Sequence, residues 1–245
     1  MTFHVETVNY KIIKEAFESI TRIVDEIVLT CDSEGIHLRS LDRSHITFIT
    51  LELNKTLFDS YQCDTPEKIF LDAGEFMKIL KKIKPKDTLL LDIDESSLLL
   101  TMNGDATRKF KIQFIDMEYD NPVPPQMNIP NNVRLPSSLL KEYVDNMADF
   151  SERLTFRLDQ DYFKIFSSGQ MGDAEIDYLH GENIREVVQS HFSVPKLQDI
   201  LKASKFSEEC ELSIGEDMPL VLRMELITGD GYIEFLLAPR LEEDE

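Results

Sequence analysis

The sequence predicts an α+β fold of two similar domains, each built from two repeats of a helix followed by antiparallel strands. Three observations carry this prediction. An amphipathic helical segment followed by alternating strand patterns recurs four times, at KIIKEAFESI, EFMKILKKIK, SLLKEYVDNM and PKLQDILKAS. A proline-rich stretch, MEYDNPVPPQMNIPNNVRL, separates the second recurrence from the third and, with Pro136, holds five of the ten prolines. The 245 residues suffice for two domains of roughly 115 residues, each able to bury its own core.

The first helix is read over 9–20, where Ile12, Ile13, Ala16, Phe17 and Ile20 form one stripe and Lys11, Lys14, Glu15 and Glu18 lie outside it. Strand patterns follow at 26–30, 36–40 and 46–53, the first two joined by turn residues Asp32 to Gly35. The pattern restarts at Asp72, where Asp72 and Glu75 have capping-box spacing and Phe76, Ile79, Leu80 and Ile83 make the stripe. Strands are expected at 88–93, 97–102 and 108–115. The connector, 117–135, is expected to run extended and exposed between domains 1–116 and 136–245, because proline fixes φ and removes an N–H donor. Ser137 or Ser138 should cap a third helix carrying Leu139, Leu140, Tyr143, Val144 and Met147, followed by strands at 154–158, 163–167 and 174–179. Pro195 opens a fourth helix through Leu197, Ile200 and Leu201, with strands at 211–214, 220–226 and 232–237.

The net charge of −20 argues against nucleic-acid binding unless the charge is segregated. It is segregated. The four helical segments, 51 residues in all, hold ten lysines (Lys11, Lys14, Lys78, Lys81, Lys82, Lys84, Lys141, Lys196, Lys202 and Lys205) against eight acids, a net of +2 that leaves −22 for the other 194 residues. Lys78, Lys81 and Lys82 stand at i, i+3 and i+4 and so share a face opposite the apolar stripe, as Lys202 and Lys205 do in the fourth segment. The third segment dissents, with Lys141 alone against three acids. Lysines on the polar face of an amphipathic helix are usually just solvated; their concentration against the overall charge is what points to a polyanion.

Catalysis has little support. The sequence contains neither G-x-x-x-x-G-K-[ST] nor G-x-G-x-x-G, and its nine glycines are scattered. The five histidines show no metal-ligand spacing, and three separated cysteines suit core positions in a reducing compartment better than a disulfide framework. No catalytic residues, metal site or cofactor are expected. No apolar run is long enough to span a bilayer and no signal-peptide core is present at the N-terminus, so an intracellular protein without a membrane partner is expected.

Two stretches about 195 residues apart carry a family resemblance. GIHLRSLDRSHITFITLEL, from Gly35 to Leu53, resembles the first-domain motif of the proliferating cell nuclear antigen family, and the C-terminal GYIEFLLAPRLEEDE is similar to that family's last strand, LAP tripeptide and acidic tail. The connector, closing in RLPSSLL, is similar to the family's interdomain loop in place and length. The resemblance implies the DNA clamp fold assembled as a homotrimeric ring, of archaeal type, encircling double-stranded DNA without sequence preference and lined by the lysine-bearing helices. It implies a processivity factor for DNA polymerase and a platform for the clamp loader, flap endonuclease, DNA ligase and other clamp-binding-motif proteins, in the cytoplasm or nucleoid if archaeal and the nucleus if eukaryotic. Glu15 beside Lys14, where many relatives carry a second lysine, weakens the first-helix contact.

Carried across residue by residue, the resemblance implies a partner groove of Leu41, His45 and Ile46, of Pro122, Val123 and Pro125, and of Pro219, Leu236, Ala238, Pro239 and Arg240. An exposed apolar pocket beside extended backbone suits a helical turn bearing aliphatic and aromatic anchors. It places the subunit interface on two strands. In one, Phe110 and Ile112 share a face while Lys109 and Lys111, with Arg108 adjacent, share the other; in the other strand Glu175 and Asp177 oppose Ala174, Ile176 and Tyr178. Two readings stand beside the homotrimer: a subunit of a heteromeric or checkpoint-type clamp, and a carboxylate-dependent metal hydrolase on an acidic scaffold.

Overall fold

The computed structural model describes residues 3–169 and 171–240; the acidic tail, 241–245, lies outside the described residues. The order is β1 (Phe3–Thr7), α1 (Tyr10–Ile23), β2 (Glu26–Cys31), β3 (Gly35–Leu41), β4 (Thr47–Asn54), β5 (Ser60–Cys63), β6 (Glu67–Asp72), α2 (Ala73–Leu80), β7 (Thr88–Asp94), β8 (Ser97–Asn103) and β9 (Thr107–Gln113). There follow β10 (Asn131–Pro136), α3 (Ser137–Met147), β11 (Arg153–Leu158), β12 (Tyr162–Gly169), β13 (Gly172–Leu179), β14 (Val188–Ser193), α4 (Val194–Ile200) with a 3₁₀ continuation over Leu201–Lys205, β15 (Glu209–Ile214), β16 (Leu220–Glu225) and β17 (Gly231–Leu237). The fold is α+β with antiparallel ladders, as the sequence predicts. Among the described residues no helix is long and apolar enough to cross a membrane.

The chain forms two compact units. Unit 1 takes in residues up to Leu41, Ile49–Val123 and Leu226–Ile233; unit 2 takes in Asp42–Phe48, Pro124–Glu225 and residues from Glu234 onward. In unit 1 a sheet of order β5-β1-β7-β8-β9 accompanies the ladder β3-β2-β6. The helices α1 and α2 pack on each other, with the rings of Phe17 and Phe76 edge to face at 4.9 Å. Helix α1 buries Tyr10, Ile13, Ala16, Phe17 and Ile20, and a large apolar side chain so buried stabilises by about 1.5–3 kcal/mol. In unit 2 a sheet of order β13-β12-β11-β14 accompanies the ladder β10-β15-β16, and α3 packs on α4. Phe156 meets both Phe163 and Phe192 edge to face, at 5.3 and 5.4 Å, at the centre of that sheet's apolar face.

Each repeat begins with a strand that the periodicity reading omits. β1, β6, β10 and β14 each lead into a helix. Phe3, Val5 and Thr7 alternate inward in β1, and Ile69 and Leu71 do so in β6. The third of these strands corrects the reading of the connector: residues 114–130 have no regular structure, but Asn131–Pro136 is an edge strand, in register with β15 from Asn131↔Ile214 to Pro136↔Glu209. Proline is tolerated there because it ends the strand. Pro136 also occupies the N-cap position of α3, so neither Ser137 nor Ser138 caps that helix.

Two helices are shorter than expected. Asp72 caps α2 by accepting from the Glu75 amide at 2.7 Å, but the helix ends at Leu80. Amides of Lys82 and Ile83 turn to the i−3 carbonyls of Ile79 and Leu80, a tightening that ends helices, and Pro85 disfavours a helical Lys84. The fourth segment likewise passes from α4 into 3₁₀ geometry after Ile200. α1, in contrast, begins at Tyr10 and runs on to Ile23, three residues beyond the expected end.

Candidate functional site

Within unit 2 the turn after β3 is organised by one carboxylate. Asp42 is only 3% exposed. One of its oxygens accepts from the amides of Ile46 and Thr47 at 2.7 and 2.9 Å, and the other from the Ser44 hydroxyl at 2.5 Å and Lys196 Nζ at 2.7 Å. The backbone closes the same turn, His45 N–H donating to Asp42 C=O and Asp42 N–H to Thr47 C=O. Burial alone would push the Asp42 carboxyl up; the lysine, the hydroxyl and the two amides outweigh it and hold the group down at about 2. His45 sits at φ 58, a left-handed conformation that side-chain-bearing residues keep only where the surroundings impose it.

The end of β17 lies against this turn. The Ala238 amide donates to Ile46 C=O at 2.9 Å, and the Arg240 amide to His191 C=O at 2.7 Å. His45 and Ile46 are exposed, Ala238 and Pro239 half-buried, Arg240 exposed, and Leu236 buried at 6%. Leu236 therefore supports the surface from beneath and is not part of its exposed face. Pro219 is half-buried and Pro125 exposed, both in unit 2. Leu41, Pro122 and Val123 belong to unit 1, where Val123 is 75% exposed and Leu41 37%. There the connector is tied down by Tyr119, whose hydroxyl donates to Arg39 C=O at 3.4 Å and whose ring lies under Lys68 Nζ at 5.4 Å.

Most of the lysines read as a basic stripe are exposed: Lys11, Lys78, Lys81, Lys82, Lys84, Lys202 and Lys205, with Lys14 half-buried. Lys81, Lys82 and Lys84 lie past the end of α2, so that stripe runs from a helix into the turn beyond it. Lys202 and Lys205 share a side because a 3₁₀ segment repeats every three residues. Two of the ten pair with carboxylates. Lys141 pairs with Asp145 one turn on, and Lys196 is held by the buried Asp42. Lys196, expected among the DNA-facing lysines, is thus engaged within the chain.

The two strands singled out for association are outermost in their sheets, β9 beside β8 and β13 beside β12. Lys109 and Lys111 are exposed on β9 while Ile112 is buried and Phe110 half-buried under Lys82 Nζ, 5.0 Å from the ring centroid. On β13, Glu175 and Asp177 are exposed and Ala174, Ile176 and Tyr178 half-buried. Some of this charge is already engaged within the chain: Lys111 meets Asp94 at 2.7 Å, and Lys164 bridges Glu175 and Asp177 at 3.3 and 3.2 Å. Arg108, expected at the same interface, is also engaged within the chain. It forms an ion pair with buried Asp87 and donates to Lys82 C=O at 2.7 Å, so it staples the lysine-bearing turn to β9.

Residue-type reasoning misses Asp42 and Asp87, since a single acid at a strand end reads as turn chemistry. The available signal for Asp42 was its place in L-D-x-S-H, where an acid precedes a serine by two residues and can take its hydroxyl. Among the described residues no group of three or more His, Cys, Asp or Glu is arranged to hold a metal ion.

Comparison with known proteins covers the whole described chain. The family model for the proliferating cell nuclear antigen N-terminal domain matches residues 2–122, and that for its C-terminal domain matches residues 124–240. A protein of Methanobrevibacter smithii named DNA polymerase sliding clamp is 49% identical over 243 residues, spanning 99% of this chain and all of that relative. One of the same name from Methanothermobacter thermautotrophicus is 43% identical over the same shares. The crystal structure of the proliferating cellular nuclear antigen of Entamoeba histolytica superposes with a TM-score of 0.92 at 20% identity, covering 98% of this chain and 99% of that one. The chain belongs to the proliferating cell nuclear antigen family.

Proposed function

We propose that this chain is the subunit of a homotrimeric DNA sliding clamp, a ring that encircles duplex DNA, tethers DNA polymerase and binds other proteins of replication and repair without a reaction of its own. The carrying observation is the full-length match to relatives named DNA polymerase sliding clamp. The charge distribution supplies a mechanism. A ring that slides must hold its substrate by topology and keep phosphate contacts weak and numerous, because tight contacts would pin it. Exposed lysines at helix ends in a chain of net charge −20 fit that requirement.

Assembly is proposed through the outermost strands, β9 of one copy extending the sheet that ends in β13 of the next. Unpaired edges invite such pairing, and a basic and an acidic edge on the same chain make a head-to-tail contact between identical copies self-sufficient. That observation favours the homotrimer over a heteromeric ring. Client docking is proposed at the 42–47 turn and the 238–240 segment of unit 2, where a short helical turn with aliphatic and aromatic anchors would seat. The polymerase, clamp loader, flap endonuclease and DNA ligase are the proposed occupants, and the cytoplasm or nucleoid the proposed location.

The deciding experiment loads the protein on nicked circular DNA, removes free protein by gel filtration, and then linearises half the sample. Retention on the circle and loss from the linear form is expected; equal retention on both would mean direct binding without encirclement and would overturn the proposal.

A further inference from the structure

We propose that Lys196 is a positioning residue for client docking, fixing the 42–47 turn through Asp42, and is not a DNA contact. The inference rests on the docking assignment above. Lys196 looks different in the sequence and in the fold. By composition it is one of ten lysines on four similar helices. In the structure it stands in the first turn of α4 with its ammonium 2.7 Å from a carboxylate that is 3% exposed. A charge-assisted bond to a desolvated partner is about twice as strong as a neutral one and is poorly screened by salt. A passing phosphate would have to break it while stranding the buried Asp42 anion, so this lysine is a poor candidate for weak, exchanging contacts.

The pair controls the geometry of the turn. Asp42 gives one oxygen to the turn amides of Ile46 and Thr47 and the other to Lys196 and Ser44. Ile46 C=O in turn receives the Ala238 amide, and Arg240, two residues on, donates its amide to His191 C=O in β14, three residues before α4 begins. His191 is itself buried, with Nδ1 2.8 Å from Thr155 Oγ1. The turn and the 238–240 segment are thus each bonded to the β14–α4 junction and to one another. Lys196 closes that circuit from the α4 side. Without it the amide bonds to Asp42 persist, but the turn loses its link to the helix, and His45 loses part of the framework that keeps it left-handed.

The test compares the full-length protein with Lys196→Met, Lys196→Arg, Lys202→Ala and an Ala238→Asp/Pro239→Asp variant. Each is titrated by fluorescence anisotropy with a labelled synthetic peptide bearing one aliphatic and two aromatic anchors at i, i+3 and i+4. Lys196→Met is expected to weaken the peptide roughly ten-fold, the scale of losing one charged hydrogen bond, with Lys196→Arg recovering most of the affinity and Lys202→Ala unchanged. In parallel, the salt slope of binding to circular DNA should fall for Lys202→Ala and stay at the wild-type value for Lys196→Met. Circular dichroism at the assay temperature selects folded variants; should Lys196→Met not fold, Lys196→Gln replaces it. Wild-type affinity in the folded Lys196 variant, or a lowered DNA salt slope in it, overturns this inference. Loss of the docking assignment itself has a separate signature, namely peptide affinity unaffected by the Ala238→Asp/Pro239→Asp change.

Discussion

Replacing Arg108 by Met should destabilise unit 1 more than any single substitution among its exposed lysines. Asp87 is 3% exposed and its ion-pair partner Arg108 about a quarter exposed, so removing the guanidinium leaves an anion with little access to water. Breaking a buried pair from one side typically costs 3–5 kcal/mol. Asp87 keeps the Lys84 amide as a donor at 2.6 Å, which places the loss at the low end, about 3 kcal/mol. The chain has no tryptophan, so unfolding in urea is best followed by far-ultraviolet circular dichroism. With a slope of about 2 kcal/mol per molar urea, the midpoint should fall by roughly 1.5 M. Adding Asp87→Asn to Arg108→Met removes the orphaned charge while keeping an acceptor for Lys84, and should recover about half of the loss. A midpoint for Arg108→Met within about 0.2 M of wild type would refute the account of Arg108 as the anchor of the lysine-bearing turn.

Three more outcomes are expected. Lys109→Glu with Lys111→Glu should give monomers at micromolar concentration by light scattering; because Lys164 already sits between Glu175 and Asp177, Glu175→Lys with Asp177→Lys should restore trimer well only when Lys164→Glu is added. A lysine variant still fully trimeric at low and high salt would remove β9 from the interface. Lys78, Lys81 and Lys82 changed together to Ala should shorten processive synthesis progressively as salt rises while leaving the trimer intact, since each exposed cation contributes little but the ring carries three copies of each; identical product lengths across the titration would contradict it. The Asp42 carboxyl, held at about 2 against an ordinary 3.8, contributes stability that is fully present above the ordinary value and is lost as pH falls from about 4 towards 2. A depression of that size amounts to roughly 2–3 kcal/mol, and Asp42→Asn should flatten that acid limb; an unchanged acid limb would mean that the carboxylate is not held this way.

The helices and the strands after them are legible because their periodicities are clean: Ile13, Phe17 and Ile20 repeat at helical spacing, and Leu98, Leu100 and Met102 at strand spacing. Some of the remaining strands are not, for two physical reasons. β5 reads SYQC, with none of its four residues fully buried, so pairing to β1 rather than side-chain pattern makes it a strand. β10 is hidden by prolines that are harmless at its margins, although Asn131, Val133 and Leu135 alternate inward. Site residues divide along a similar line. Exposed lysines and the alternating charge of β9 and β13 are properties of residue type and spacing. The pairs Asp42–Lys196 and Asp87–Arg108 join positions 154 and 21 residues apart, and nothing in either local sequence specifies its partner.

The strands that lead into the helices also set where each helix can loosen. In three repeats the ladder hands over to the helix without an intervening residue, Asp72 to Ala73, Pro136 to Ser137 and Ser193 to Val194, so the first turn opens only if strand pairing opens with it. The other end is not continuous with a ladder, and in α2 it is held by side-chain bonds such as that of Arg108 to Lys82 C=O. α2 and α4 end in 3₁₀ bonds and turns, where opening free energies are lowest, and those ends carry Lys81, Lys82, Lys202 and Lys205. Amide hydrogen exchange should accordingly rise along each of these helices from its entry to its exit. A cation on a compliant end can follow a phosphate over several ångströms and release it, whereas one on a stiff rod would meet the regular lattice of the double helix in a fixed register. Compliance at these ends would smooth the energy profile along the DNA and so lower the friction of sliding.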